Sequence, residues 1–274
     1  MSSRARIKAW IPPALLEVRR SLLGLGLRFS DDPGGWAGAC ARSEGYDADM
    51  IVESVAAATR EVLAGRALFE RDSVLFHQQD YRYPIITAML RAASLNGGVL
   101  EVFDFGGSLG STYRQCRPLL SGLRQLRWWV VEQSHFVAIG RQEFSTEELS
   151  FVSSLAELPA EGFSRLALLS SVLQYLEQPD RTLADVLRLG PSHLVIDRTP
   201  MSELDGHYLC VQHVPKAVYA ASYPCWILSR PKLMASLFNA GYELLADFAC
   251  SEGTARSDAG LAFEFRGLLM EKPS

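Results

Sequence analysis

From residue 99 onward the chain alternates between short apolar runs and stretches with helical spacing. "VLEVFDF" (99–105) reads as a buried strand, "STYRQCRPLLSGL" as a helix, and "RWWVVEQ" (127–133) as a second strand ending on an acid. "LSFVSSLAEL" (149–158) predicts a short strand running into a turn, and "FSRLALLSSVLQYL" (163–176) a strand, then small residues, then the start of a helix. "TLADVLRL" is helical, and "SHLVIDRTP" (192–200) is a fifth strand stopped by Pro200. Strands alternating with helices predict βα units and a parallel sheet covered on both faces. The end breaks the alternation. A helix leads through Gly241 to a strand over 242–249, and another strand follows over 260–272 with no helix between. Two such strands joined by a polar loop should pair antiparallel.

The first 95 residues have a different texture. Ile51, Val52, Val55, Val62 and Leu63 recur at helical spacing between Ala48 and Leu68. "YRYPIITAMLRAASLNGG" predicts a second helix, with Pro84 in its first turn and Gly97-Gly98 beyond its end. "SDDPGGWAGACARSEGYD" (30–47) reads as an ordered loop. The expectation is therefore a helical region, without strands, over 1–95, packed on a main domain over 96–274 that carries an insertion at about 200–228.

Composition narrows the picture a little. A chain of 274 residues, 48% hydrophobic and 21% charged, suits one large domain or a domain with an appendage. A net charge of −4 gives no global nucleic-acid footprint. The five cysteines are scattered without a C-x-x-C pair, which argues against a disulfide framework or zinc site and for a reducing compartment. No run approaches the ~18 apolar residues of a membrane span. Residues 1–28 hold six Arg or Lys against one acid, while the remainder holds 21 against 30. A basic start on an acidic body suits either a packed helix with solvated charges or a membrane-surface helix. The expected location is cytoplasmic, with peripheral membrane contact through this start as the alternative.

The chemistry concentrates where the first strand ends. Gly106, Gly107 and Gly110 fall within five residues after Phe105. In an open α/β sheet, ligands bind beyond the carboxyl ends of the strands. Glycines there let a ligand touch the main chain, and the following helix offers free N–H groups. Glu132 ends the second strand 22 residues after Gly110, where a carboxylate accepts both ribose hydroxyls of a nucleoside. A dinucleotide and S-adenosylmethionine both fit an acid in that place. The dinucleotide fingerprint G-x-G-x-x-G fails, since counting from Gly106 puts Ser108 and Ser111 at its second and third glycines.

The stretch resembles the methyltransferase form D/E-x-G-x-G-x-G, read as Asp104, Gly106, Ser108 and Gly110, with Ser108 in place of the middle glycine. A parallel sheet closing on a terminal hairpin is likewise the pattern of the class I S-adenosylmethionine-dependent methyltransferases. Further segments, "GYDADMIVESVAAATREVLAG", "ERDSVLFHQQDYRYPIITAML", "WWVVEQSHFVAIGR", "SSVLQYLEQP", "VIDRTP", "VQHVP" and "YPCWILSR", resemble a group of bacterial methyltransferases encoded among surface-polysaccharide and lipopolysaccharide biosynthesis genes. The resemblance covers roughly residues 30–265. It implies a Rossmann-like, seven-stranded, mostly parallel sheet with an antiparallel terminal hairpin, and S-adenosylmethionine as cofactor with S-adenosylhomocysteine as product. Asp104 in that register would hold the methionine amino group. Gln133, the turn serines Ser153 and Ser154, and Ser170 and Ser171 complete the expected cofactor contacts.

The acceptor side is expected on the segments after strands four and five. His207 is the preferred general base because histidine titrates near neutrality, with Tyr175 as a second catalytic candidate. Gln174, Arg198, His213, Tyr223 and Trp226 are the candidate substrate contacts, and no metal cluster is expected. The expected partner is a small-molecule or glycan acceptor, and the substrate clause is implied by the resemblance alone. A nicotinamide-dependent oxidoreductase and a non-catalytic binding module with the same fold are the alternatives.

Overall fold

A computed structural model describes residues 27–31, 34–43, 48–159, 165–214 and 221–273. The basic start, on which the membrane-surface reading rests, lies outside the described residues apart from its last two positions. None of the described helices is long and apolar enough to cross a membrane.

Two compact units gather the described residues, and each is described by itself. The smaller takes those within Met1–Gly45, Leu209–Cys225 and Ala255–Ala262. There β1 (Arg28–Asp31) pairs antiparallel with β9 (Tyr208–His213), and α1 (Gly35–Arg42) follows β1. The segment 30–47, expected to be a loop, thus holds the end of a strand and an eight-residue helix. Its glycines mask both: Gly34 sits at the N-cap and Gly35, at φ +69°, opens the helix.

The larger unit carries the parallel sheet. Its strands β4 (Val99–Phe105), β5 (Gln125–Val131), β6 (Leu149–Val152), β7 (Arg165–Ser170) and β8 (His193–Ser202) lie in the order β6-β5-β4-β7-β8, all parallel. β12 (Ala262–Glu271) runs antiparallel to β8 and also pairs with β11 (Glu243–Arg256). This is the mixed α/β fold class expected from the sequence, mostly parallel with an antiparallel closing strand. The end of β10 (Ser222–Ser229) pairs parallel with β8 through Leu228 and Ser229.

Side-chain alternation along these strands builds two cores, because successive residues of a strand point to opposite faces. Leu100, Val102, Leu166, Leu168 and Val195 pack on one face with Val52 and Val55 of α2 (Ala48–Leu63) and Ile85 and Met89 of α3 (Tyr83–Ser94). Phe103, Ala167, Leu169, Leu194 and Ile196 pack on the other with Leu183 and Val186 of α6 (Pro179–Arg188) and Leu233 and Leu237 of α7 (Arg230–Asn239). Among the described residues, two further α-helices, α4 (Ser111–Cys116) and α5 (Ser134–Ile139), follow β4 and β5.

The helical reading of the leader misses three strands: β1 and the hairpin β2 (Phe69–Arg71) to β3 (Val74–Phe76). Three-residue strands are too short to display a period of two. The hairpin is held by its turn, where Asp72 and Ser73 both adopt positive φ, the turn geometry that suits a two-residue hairpin. Pro200 does not stop β8, which runs on to Ser202; Pro200 stands opposite Phe265 of β12, where only its missing N–H is lost from the ladder.

Candidate functional site

The bend after β4 forms because the backbone must turn sharply while staying on the sheet. The Gly106 N–H still bonds the Val131 carbonyl at 2.9 Å, and Gly106 then turns at φ +73°. A Cβ on Gly106 would stand 2.5 Å from Cγ2 of Val172, and one on Gly107 would stand 2.6 Å from the carboxyl carbon of Asp104. At these two positions the atoms that exclude a side chain belong to the chain itself, which differs from the expectation that a ligand demands the bare main chain. Ser108, in place of the middle glycine of the D/E-x-G-x-G-x-G form, holds φ +55°, a conformation costly for a residue with a Cβ. Gly110 then caps α4 in the left-handed conformation.

Glu132 follows β5 directly and turns onto this bend. Its Oε1 accepts the Ser108 N–H at 3.2 Å, and its Oε2 accepts the Gln133 N–H at 2.7 Å. Burial raises its pKa, and the two backbone donors pull in the opposite direction. A carboxylate offers about four acceptor sites, so this one retains free lone pairs beside the bend. Gln133 is exposed at the N-cap of α5. Ser153 and Ser154 form the exposed turn after β6, where both hydroxyls and the Ser153 N–H donate to Glu157.

Asp104 lies beneath the bend and is 1% exposed. The Trp128 indole donates to it at 3.3 Å. Burial pushes its pKa up to about 7, against the pull of the nearby Arg82 charge. Its carboxyl group faces the protein interior, so the geometry gives no support to its expected contact with a methionine amino group.

The strand ends beyond Val172 are stitched together. Ser170 Oγ donates to Asp197 at 3.0 Å, and Ser171, at φ +55°, donates its N–H to the Asp197 carbonyl at 2.8 Å. Gln174 is fully buried, and its amide donates to Ser171 Oγ at 3.0 Å and to the Arg198 carbonyl at 3.3 Å. It braces the loop from within, a departure from its expected place against a substrate. Tyr175 closes a short turn over 173–175 and is half-buried. Arg198 binds Glu252 at 2.5 Å. The Trp226 indole donates to the Leu176 carbonyl at 3.0 Å.

Sequence reasoning missed Arg82, which donates to Asp197 at 2.5 Å, Ser170 Oγ at 2.7 Å and Thr112 Oγ1 at 2.8 Å. It therefore links the end of β7, the middle of β8 and the first turn of α4. Lying just before Pro84 in a helical leader, it carries no motif, and its role shows only once the chain is folded.

His207 does not stand as a general base in this arrangement. Its Nδ1 accepts the Ser229 N–H at 2.8 Å, which leaves the proton on Nε2, directed at Asp180 Oδ1 2.9 Å away. Both ring nitrogens are committed, and Ser229 in turn caps α7 by accepting the Lys232 N–H. His207 locks a helix start. His213 and Tyr223 belong to the smaller unit, where His213 bonds Ser30 Oγ at 2.7 Å.

No protein-family model matches the chain, and no curated protein matches it. Solved structures do resemble it. A 1,6-didemethyltoxoflavin-N1-methyltransferase from Burkholderia thailandensis, with bound 1,6-didemethyltoxoflavin and S-adenosylhomocysteine, is 16% identical over 84% of this chain and 92% of its own, with a TM-score of 0.41. The glycopeptide N-methyltransferase MtfA complexed with S-adenosylmethionine is 13% identical over 68% of this chain and 93% of its own, with a TM-score of 0.45. The [4+2]-cyclase SpnF is 14% identical over 82% and 95%, with a TM-score of 0.47. Likenesses at this level carry no argument about activity. The fold class rests on the strand order.

Proposed function

We propose that this chain is an S-adenosylmethionine-dependent methyltransferase that binds its cofactor at the bend after β4. The observation that carries this reading is Glu132, whose carboxylate ends one parallel strand and is turned onto the glycine bend that ends its neighbour. The donor set fits the group: a carboxylate with spare lone pairs for a ribose diol, beside a bend with a helix start behind it. The cofactor when bound supplies an activated methyl group, and the protein's part is to align the acceptor with it. In this reading Glu132 fixes the ribose, and the Ser108 N–H fixes Glu132. Ser153 and Ser154 stand at the turn expected beside the adenine. The acceptor we propose is a hydroxyl or amine of a sugar, nucleotide-sugar or glycan precursor, a clause supported by the sequence resemblance.

A second reading is favoured by one observation. His207 has no free ring nitrogen, so the residue best suited to deprotonate a hydroxyl is spent on structure. A cofactor-binding module without methyl transfer, or transfer to an amine that needs no such base, accommodates this.

Thermal shift with S-adenosylhomocysteine, S-adenosylmethionine and NAD tests the proposal, because a ligand that binds only the folded state stabilises it. The proposal expects a rise with the first two and none with NAD. A rise with NAD alone overturns it. Transfer of labelled methyl groups to extract components then separates the enzyme from the module.

A further inference from the structure

Three arginines from separate segments meet in the larger unit: Arg71 on β2, Arg82 ahead of α3 and Arg198 on β8. All three are mostly but not wholly buried, with side-chain exposures of 17%, 14% and 17%. Their internal partners are unequal. Arg82 is neutralised by Asp197 and Arg198 by Glu252, each at 2.5 Å, and Arg198 also faces the exposed Asp72 of the hairpin turn at 3.6 Å. Arg71 rests against the stacked rings of Phe69 and Phe76, and its nearest carboxylate is the largely exposed Asp80 at 3.7 Å, beyond hydrogen-bond reach. Two buried guanidinium nitrogens, Nη2 of Arg71 and Nε of Arg82, have no acceptor among the described residues. Buried polar groups are normally satisfied, and a buried charged donor is among the costliest to leave bare.

The position of the cluster gives it a use. Glu70, on the opposite side of β2, accepts from Ser111 Oγ at the start of α4, which ties the hairpin to the bend after β4. Arg82 reaches Thr112 in that same turn. We propose that Arg71, Arg82 and Arg198 form an oxyanion site that holds a carboxylate or phosphate group of the methyl acceptor, an inference that rests on the methyltransferase reading above. An arriving oxyanion adds negative charge beside the guanidinium group of Arg71, and a guanidinium fork matches its geometry. The mutual repulsion that, after burial, lowers the pKa of Arg71 beside Arg198 and Arg82 would be relieved by such a group.

Calorimetric titration of the full chain with inorganic phosphate and with acetate, each with and without S-adenosylhomocysteine, tests this. One anion should bind saturably in the presence of S-adenosylhomocysteine, phosphate pointing to a phosphorylated acceptor and acetate to a carboxylated one. Arg71→Gln should weaken that binding by about tenfold or more, leaving S-adenosylhomocysteine affinity unchanged. Arg91→Gln, at a surface arginine paired with Glu271, should change neither. Should Arg71→Gln fail to fold, Arg71→Lys keeps the charge but not the fork and should still weaken the anion. Absence of saturable binding, or binding indifferent to Arg71, overturns the inference. So does competition between the anion and S-adenosylhomocysteine with equal losses of both in Arg71→Gln, which would assign the arginines to the donor's own carboxylate. Anion binding that needs Arg71 in a protein blind to S-adenosylhomocysteine would sink the methyltransferase reading instead and leave the anion site standing.

Discussion

The bend after β4 and the corner around His207 are built from the same materials, polar side chains at the ends of secondary-structure elements, and they end in opposite states. At the bend, Glu132 spends one lone pair of each oxygen on a backbone N–H and keeps the others. At the corner, both nitrogens of His207 are used, and Asp180 is shared between His207 and Lys232. The difference teaches that a residue's chemical aptitude counts only while its lone pairs or protons are free. Histidine is the better general base by type, yet here the glutamate is the group left able to meet a ligand.

Substitutions can break or sharpen this contrast. The largest loss is expected at Gly106→Ala, which forces a Cβ to within 2.5 Å of Val172 at φ +73° and should cost about 3 kcal/mol of stability, read by denaturant titration. Asp104→Asn should act in the opposite direction. The folded-state pKa of Asp104, about 7, lies above the ordinary value of 3.8. Its contribution is therefore fully present at low pH and lost as pH rises from about 4 towards 7. Asp104→Asn should flatten that decline and leave the variant more stable than the parent at pH 8, by up to about 4 kcal/mol. A variant as pH-dependent as the parent over that window would place the effect elsewhere.

His207→Ala should cost about 1–2 kcal/mol, because the Ser229 N–H loses its acceptor, while cofactor affinity stays unchanged. Lost turnover with intact stability would restore His207 to the chemistry and erase the contrast. The smallest effect is expected at Ser153→Ala, an exposed turn position, with stability within about 0.5 kcal/mol of the parent.

What could be read in advance follows the same divide. Val99–Phe105 was legible as β4 residue for residue, because a run buried on both faces between glycines has few other readings. The closing strand pair and the place of Glu132 were legible because order along the chain fixes the strand ends. Gln174 and His207 were misjudged because sequence shows a side chain's type and not its partners. Arg71 and Arg82 were passed over because they sit in a leader read as helical, where charge looks like solvated surface. The hairpin that carries Arg71 has strands of three residues, below the length at which a period is visible.

The central claim is that Glu132 and the bend it faces hold an adenosyl cofactor. Calorimetric titration of S-adenosylhomocysteine into the parent and into Glu132→Gln tests it most directly. The account predicts one saturable site in the parent, and affinity weaker by about tenfold or more in a variant that unfolds at the same temperature. A parent that does not bind, or a variant that binds equally well, would contradict it.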